Sequence, residues 1–214
     1  MDRESLRRHR LDYVKHQLLE QDAGDDPIAL FGSWLRTAMD HGVAEPNACA
    51  LATAGTITIS NRIVLLRGFD ERGFSFYTNY NSRKAMDLER DPRAAMTFFW
   101  PELERQVRIE GRCAQVDPAE SDAYFAERPV DSRLGAWSSD QSRPIDDRVK
   151  LEERFARWKE RFADGDVPRP LHWGGYRLEP ARIEFWQGRA SRLHDRLAYE
   201  KLNDGKWLRV RLQP

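Results

Sequence analysis

Near the C-terminus the chain reads Ile183-Glu184-Phe185-Trp186-Gln187-Gly188 and then Arg192-Leu193-His194-Asp195-Arg196. An indole, two guanidiniums and an imidazole fall close together, and Gly188 allows a turn between two strand-like runs. That mixture suits a flat, anionic, redox-active ring. The indole borders a planar ligand, while the arginines and His194 donate to its polar edge and to a bound substrate. Arg192 and His194 are two residues apart, so on extended chain both face the same side. A hydrolytic triad has no support, because no serine or cysteine sits in an elbow context. No metal is expected: no histidine pair has zinc spacing, and Cys49 and Cys113 read as reduced cysteines in or near strands.

Further candidates are cationic. In Arg62-Ile63-Val64-Leu65-Leu66-Arg67, strand alternation puts Arg62, Val64 and Leu66 on one face and Ile63, Leu65 and Arg67 on the other, so the arginines can serve two anions. Ser82-Arg83-Lys84 opens a predicted helix just after Tyr77-Thr78, and free N–H groups beside cations make a phosphate site. Gln106, in Glu104-Arg105-Gln106-Val107, and Gln141-Ser142 offer donors and acceptors to a planar ring's edge. Tyr124 and Arg128 share a face of a predicted helix, with Ser132 just past Pro129; phenol, guanidinium and hydroxyl together hold a phosphate ester. Taken singly, each cluster also reads as solvated charge on a strand end or helix surface.

The elements that must position these groups are mostly short strands. Residues 3–20 read as a loosely held, charged helix or arm. Asp26 caps a helix opened by Pro27, with Ile28, Phe31, Trp34, Leu35, Ala38 and Met39 at helical spacing and Gly42 as its stop. Strands are predicted over 48–54, 56–66 and 74–77, with a hairpin turn at 70–73 joining the last two. A helix over 82–90 stops at Asp91-Pro92; strands over 94–100 and 106–116 make an antiparallel pair, and Asp117-Pro118 caps another helix. Residues 146–163 make the longest amphipathic helix, with Val149, Leu151, Phe155, Trp158 and Phe162 inward. Strands over 175–178, 182–186, 196–201 and 206–211 close the chain. Strands without regular βαβ alternation, and no G-x-G-x-x-G after a strand, exclude a doubly wound dinucleotide fold. The expected class is α+β, mainly antiparallel and barrel-like, with inserted helices.

The 214 residues carry 35 basic and 35 acidic side chains, so the formal net charge is zero and neither a nucleic acid nor an anionic membrane is an expected partner. No apolar run is long enough to span a bilayer, and the charged N-terminus has no signal-peptide core, so a soluble cytoplasmic protein is expected.

In order and spacing these segments resemble the pyridoxine/pyridoxamine 5′-phosphate oxidase family from about Arg10 to the end. The most specific are Arg105-Gln106-Val107, Arg128-Pro129-x-Asp131-Ser132-x-x-Gly135-Ala136-Trp137, His172-Trp173-Gly174-Gly175-Tyr176-Arg177 and the Glu184–Arg196 block. The resemblance implies an FMN-binding split β-barrel over 25–214 after an N-terminal helical arm over 1–24. It implies a homodimer with each FMN between subunits. FMN would oxidise pyridoxamine or pyridoxine 5′-phosphate to pyridoxal 5′-phosphate, and dioxygen would be reduced to hydrogen peroxide. Positions matching FMN ligands are Arg62 through Arg67, Tyr77, Thr78, Arg83, Lys84, Gln106, Gln141, Ser142, Trp186 and Arg196. Arg67, Tyr124, Arg128 and Ser132 match the substrate-phosphate clamp. Arg192, Leu193 and His194 match the segment over the substrate ring, Arg192 and His194 being its catalytic pair. Arg10 and Tyr13 fall where the arm closes over the site.

Two departures stand out. Arg67 replaces the family's usual lysine, keeping the charge while adding a bidentate grip. Ala54-Gly55-Thr56 makes a shorter strand connection than is usual there. The alternatives are a related split-barrel oxidase of a phenazine-type substrate, which has no use for a phosphate clamp, and a non-catalytic carrier of FMN or pyridoxal phosphate, which has no use for Arg192 and His194.

Overall fold

The computed structural model describes residues 12–163 and 165–214, so Arg10 lies outside it. In chain order the described elements are α1 (Glu20–Ala23), α2 (Pro27–Asp40), β1 (Ala48–Ala54), β2 (Ile59–Leu65), β3 (Gly68–Asp70), β4 (Gly73–Asn79), α3 (Arg83–Arg90), β5 (Arg93–Trp100), β6 (Arg105–Gln115), α4 (Pro118–Glu127), α5 (Val130–Ser138), α6 (Arg148–Arg161), β7 (Trp173–Gln187), β8 (Asp195–Lys201) and β9 (Trp207–Arg211). The strands form one nine-stranded sheet in the order β2-β1-β5-β6-β7-β4-β3, with β8 on β7 and β9 on β8. The class is α+β and antiparallel. Among the described residues no helix is long and apolar enough to cross a membrane.

The helix starts follow their local chemistry. Asp26 accepts from the backbone N–H groups of Ile28 and Ala29, Ser82 from Ala85, Asp117 from Ala119, and Asp147 from Lys150, each satisfying donors that a first turn leaves open. Four expectations are corrected. Residues 175–178 and 182–186 belong to one strand, β7. Pro180 does not end it, because the strand changes partner there: Trp173–Leu178 pairs with β4 and Arg182–Gln187 with β8, leaving the proline outside both registers. The turn at Glu71-Arg72 joins β4 to the short β3 rather than to β2. A further helix, α5, begins right after Pro129, so Ser132 is helical, while Arg128 is extended and stands off the helix that carries Tyr124. Met39 and Val149 are exposed, because their helices bury narrower stripes than the spacing suggested.

The chain divides into two compact units. The first comprises 1–49, 96–110 and 181–214. Its core sets Phe31 and Trp34 of α2 against Phe98 and Phe185, with ring centroids 5.1 and 5.2 Å apart, and Tyr199 hydrogen-bonds to the carbonyl of Gly24 at 2.8 Å. Within it, among the described residues, 12–19 form no helix and only α1 is helical before α2.

The second unit comprises 50–95 and 111–180. Leu51, Phe74, Phe76, Leu88 and Leu178 are buried there. A second cluster of Phe125, Leu134, Ala136, Val167 and Trp173 is flanked by Phe155, Trp158 and Phe162, which anchor α6 although none of its residues is fully buried. Cys49 and Cys113 are free and buried, and burial pushes both thiols up to about 12.

One close approach in this unit is strict. A Cβ on Gly111 would lie 1.9 Å from the carbonyl oxygen of Glu179 and 2.9 Å from its carbon, both backbone atoms that cannot swing aside. Gly111→Ala should therefore cost about 3 kcal/mol and lower the thermal midpoint by roughly 6–12 °C, read by calorimetry.

Candidate functional site

A cavity of about 650 Å³ opens in the second unit, a volume suited to a cofactor or small substrate. Its lining includes Arg62, Ile63, Val64, Leu65, Arg67, Tyr77, Thr78, Arg83, Lys84, Tyr124, Arg128, Gln141 and Ser142, all singled out from the sequence. Arg62 and Arg67 were expected on opposite faces of one strand; both line this cavity, because β2 ends at Leu65 and strand alternation does not extend to Arg67. Leu66 is the exception within its run, buried in the core. Ser132 is exposed on the first turn of α5 and does not line the cavity. Ser60, Asn61 and Trp173 also line it. Alternation with Arg62 would have indicated Ser60, whereas nothing local marks Trp173 as a wall.

The cations form two groups. In one, Lys84 Nζ donates to Gln141 Oε1 at 2.8 Å, Thr78 Oγ1 at 3.1 Å and Ser82 Oγ at 3.3 Å, and Arg83 reaches Thr58 Oγ1 at 3.0 Å. Arg62 is tied to the carbonyl of Leu51 and to Thr53 and Ser60. Burial, and then the nearby Arg62, pulls the Lys84 ammonium down to about 8; burial also lowers Arg62. In the other group, the Arg128 guanidinium lies 4.4 Å over the Trp173 ring, and its Nη1 is buried without a hydrogen-bond partner. Burial lowers Arg128, and the charge of Arg67 lowers it further. Tyr77 stacks on Tyr124 at 3.9 Å and on Trp173 at 5.6 Å, building a flat aromatic wall; burial pushes Tyr77 up to about 12. Among the described residues the cavity is thus lined by five cations and by no carboxylate, and it can hold two anionic groups beside a planar body.

The remaining predicted residues lie in the first unit. Trp186 and His194 have ring centroids 4.7 Å apart, with Tyr13 at 5.6 Å from the indole and 5.7 Å from the imidazole. The backbone N–H of Arg189 donates to His194 Nδ1 at 3.1 Å, so the neutral ring carries its proton on Nε2. Burial and then Arg192 lower the His194 pKa. Ser191 and Arg192 hold left-handed φ values of 55° and 61°, strain that side chains seldom accept without a positional need. Arg192 and Leu193 are exposed, and Gln106 is half-buried on β6.

Arg196 donates from Nε and Nη2 to Glu184 Oε1 at 2.9 and 2.7 Å, and from Nη1 to the carbonyl of Gln213. Glu184 is 2% exposed and also faces Arg182 at 3.3 Å and Arg108 at 3.7 Å. Sequence reading quoted Glu184 only as part of a motif. Its alternation with Trp186 on one strand face is the signal that could have found it.

Comparisons with known proteins identify the family. The family described as pyridoxamine 5′-phosphate oxidase matches residues 35–162, and the pyridoxine 5′-phosphate oxidase C-terminal dimerisation region matches 173–214. A relative from Rubrobacter xylanophilus, named pyridoxine/pyridoxamine 5′-phosphate oxidase, is 55% identical over 206 residues, covering 96% of this chain and 94% of its own. One of the same name from Synechocystis is 51% identical over 215 residues and the full length of both. Among solved structures, PhzG from Burkholderia lata, in complex with tetrahydrophenazine-1-carboxylic acid, superposes with a TM-score of 0.88 at 36% identity over 94% of this chain and 100% of that one. A pyridoxamine 5′-phosphate oxidase-related, FMN binding protein from Nostoc punctiforme shares the fold, with a TM-score of 0.67 at 19% identity over 86% of this chain and 96% of its own. With both family regions matched and half the residues identical to full-length relatives, this chain belongs to the pyridoxamine 5′-phosphate oxidase family.

Proposed function

We propose that the protein oxidises pyridoxamine 5′-phosphate, pyridoxine 5′-phosphate or both to pyridoxal 5′-phosphate, with FMN as its cofactor and dioxygen as the final acceptor. The observation that carries this reading is the acid-free cavity wall with two separate cation groups, one for each phosphate. The residues fit FMN: Arg62, Arg83, Lys84 and Thr78 offer charged and hydroxyl donors to one phosphate, and Gln141 and Ser142 offer amide and hydroxyl groups to the ring edge. When bound, FMN would supply the hydride acceptor for the substrate's C4′ hydrogen. The chain's own groups bind and orient. Arg67, Arg128 and Tyr124 would grip the substrate phosphate, giving Arg128 Nη1 the acceptor it lacks. The Tyr77, Tyr124 and Trp173 wall excludes water from that phosphate and strengthens each charged contact. Arg192 and neutral His194, donating from Nε2, would hold the polar edge of the substrate ring. We read the working form as a homodimer, since the matched dimerisation region carries Trp186, Arg192, His194 and Arg196.

Aerobic incubation of the purified yellow protein with each phosphorylated vitamer should yield pyridoxal 5′-phosphate and hydrogen peroxide, and denaturation should release FMN rather than FAD. Failure to form aldehyde from either vitamer overturns the reading.

Arg67→Ala should raise KM for the phosphorylated vitamer about tenfold or more, leaving FMN content intact, while Arg67→Lys should keep most activity. Loss of FMN at unchanged KM would move Arg67 to the cofactor group.

Lys84 predicts a pH dependence. Without an anion beside it the ammonium titrates at about 8 rather than the ordinary 10.5. A bound phosphate dianion favours the charged form, so above pH 8 binding must take up a proton, and FMN affinity should fall as pH rises through 8. Titrating flavin-free protein with FMN from pH 7 to 10 should show this decline, and Lys84→Met should abolish it.

A further inference from the structure

Asp87 stands on α3 one turn beyond Lys84, buried, and it does not line the cavity. Its Oδ2 accepts from Thr53 Oγ1 on β1 and from Ser60 Oγ on β2, both at 2.8 Å. The same two hydroxyl oxygens accept from Arg62: Nη1 donates to Thr53 Oγ1 at 2.8 Å and Nη2 donates to Ser60 Oγ. Arg62 Nη2 itself lies 3.9 Å from Asp87 Oδ2. The direction of each bond to Asp87 and from Arg62 is forced; only the 3.2 Å contact between Thr53 Oγ1 and Ser60 Oγ could run either way. A carboxylate only accepts, a guanidinium only donates, and each hydroxyl has a single proton. Both protons therefore point at Asp87, which turns both oxygen lone pairs toward Arg62. Without the carboxylate, both hydroxyls could rotate and offer a proton to the cation instead.

We propose that Asp87 is a positioning residue of the cofactor-phosphate group: acting through Thr53 and Ser60, it fixes Arg62 and thereby sets the preference for a phosphorylated flavin over its phosphate-free form. The proposal rests on the reading that the cavity holds FMN. Arg62, Arg83 and Lys84 repel one another, and Asp87 offsets one of their charges from behind the wall, where it does not face the ligand. Two net positive charges remain for a phosphate dianion.

The short Ala54-Gly55-Thr56 connection belongs to the same device. A Cβ on Gly55 would lie 3.0 Å from Asp87 Oδ1 and 2.9 Å from the Thr58 carbonyl oxygen, so the bare glycine leaves the carboxylate its place.

The test compares FMN with riboflavin, which lacks the phosphate, by fluorescence titration of flavin-free full-length protein. Asp87→Ala should raise the Kd for FMN about tenfold and that for riboflavin less than about twofold. Asp87→Asn, whose amide oxygen still accepts both hydroxyl protons, should stay within about threefold of the unvaried protein for FMN. Thr53→Val, nearly isosteric, breaks the relay without touching the helix and should weaken FMN alone by roughly severalfold. It carries the test if Asp87→Ala fails to fold. Equal weakening of both flavins would make Asp87 a structural tie and overturn the proposal, as would an unchanged FMN-to-riboflavin ratio in these variants. An unvaried protein that binds FMN no better than riboflavin would instead overturn the cofactor reading.

Discussion

Arg62, Arg67, Arg83, Lys84 and Arg128 line one cavity with no acidic neighbour on its wall among the described residues, and each raises the electrostatic cost of the others. The scaffold of the second unit answers that cost. Arg62 projects from β2 over a floor of hydroxyls; Arg83 and Lys84 sit on the first turn of α3, whose start Ser82 caps. Arg128 leaves the end of α4 in extended backbone and lies over an indole. No single element could present so many cations in one direction. A strand, a helix start and a helix end converge because β4, buried along nearly its whole length between β3 and β7, fixes the segments on either side. An anion entering the cavity relieves repulsion that folding has already imposed, so binding is favoured before any specific contact is counted.

The first unit solves a different problem. Around Tyr13, Trp186 and His194 the charges are paired: Arg196 with Glu184, and Arg189 and Arg211 with Asp195. What is stored there is conformation. Two consecutive left-handed residues, Ser191 and Arg192, precede an imidazole held neutral by a backbone donor on Nδ1. Glu184, almost wholly buried among Arg108, Arg182 and Arg196, fixes the strands that carry this segment, and it holds a guanidinium that would otherwise be free to turn. One cluster offers charge for an incoming anion and the other a rigid donor set.

Much of this was legible in the sequence where the signal is local. The caps at Asp26, Ser82, Asp117 and Asp147 depend on a side chain reaching backbone one turn away, and strands such as β4 and β5 announce themselves by their aromatic residues. The errors fall where distant partners decide. Pro180 looks like a break until two different neighbours pair either side of it. Met39 and Val149 fit helical spacing, yet both are exposed. The site divided the same way. Arg62, Lys84 and Arg128 are visible as cations beside plausible anchors. Asp87 and Trp173 are ordinary residues until β1, β2 and α3, or α4 and β7, bring them into place, and Leu66 is buried just past the end of β2, where strand alternation no longer applies.

The charge balance of the second cation group bears on substrate choice within the family. The structural neighbour from Burkholderia lata holds a tricyclic carboxylic acid, whose single carboxylate is a monoanion. Here Arg67 and Arg128 stand together, and Arg128 carries a buried N–H without a partner. A monoanion with two oxygens would satisfy one guanidinium and leave the other charged and incompletely bonded in a partly desolvated pocket. A phosphate ester near neutral pH brings between one and two charges and three free oxygens, enough to meet both guanidiniums and the Tyr124 phenol at once. Arginine at position 67, with a second planar face of donors, widens that gap further: it adds N–H groups that only an oxygen-rich anion can satisfy. On its charge and oxygen count the same pair thus suits a phosphate ester and works against a carboxylated tricycle, so similarity of backbone does not carry over to similarity of substrate.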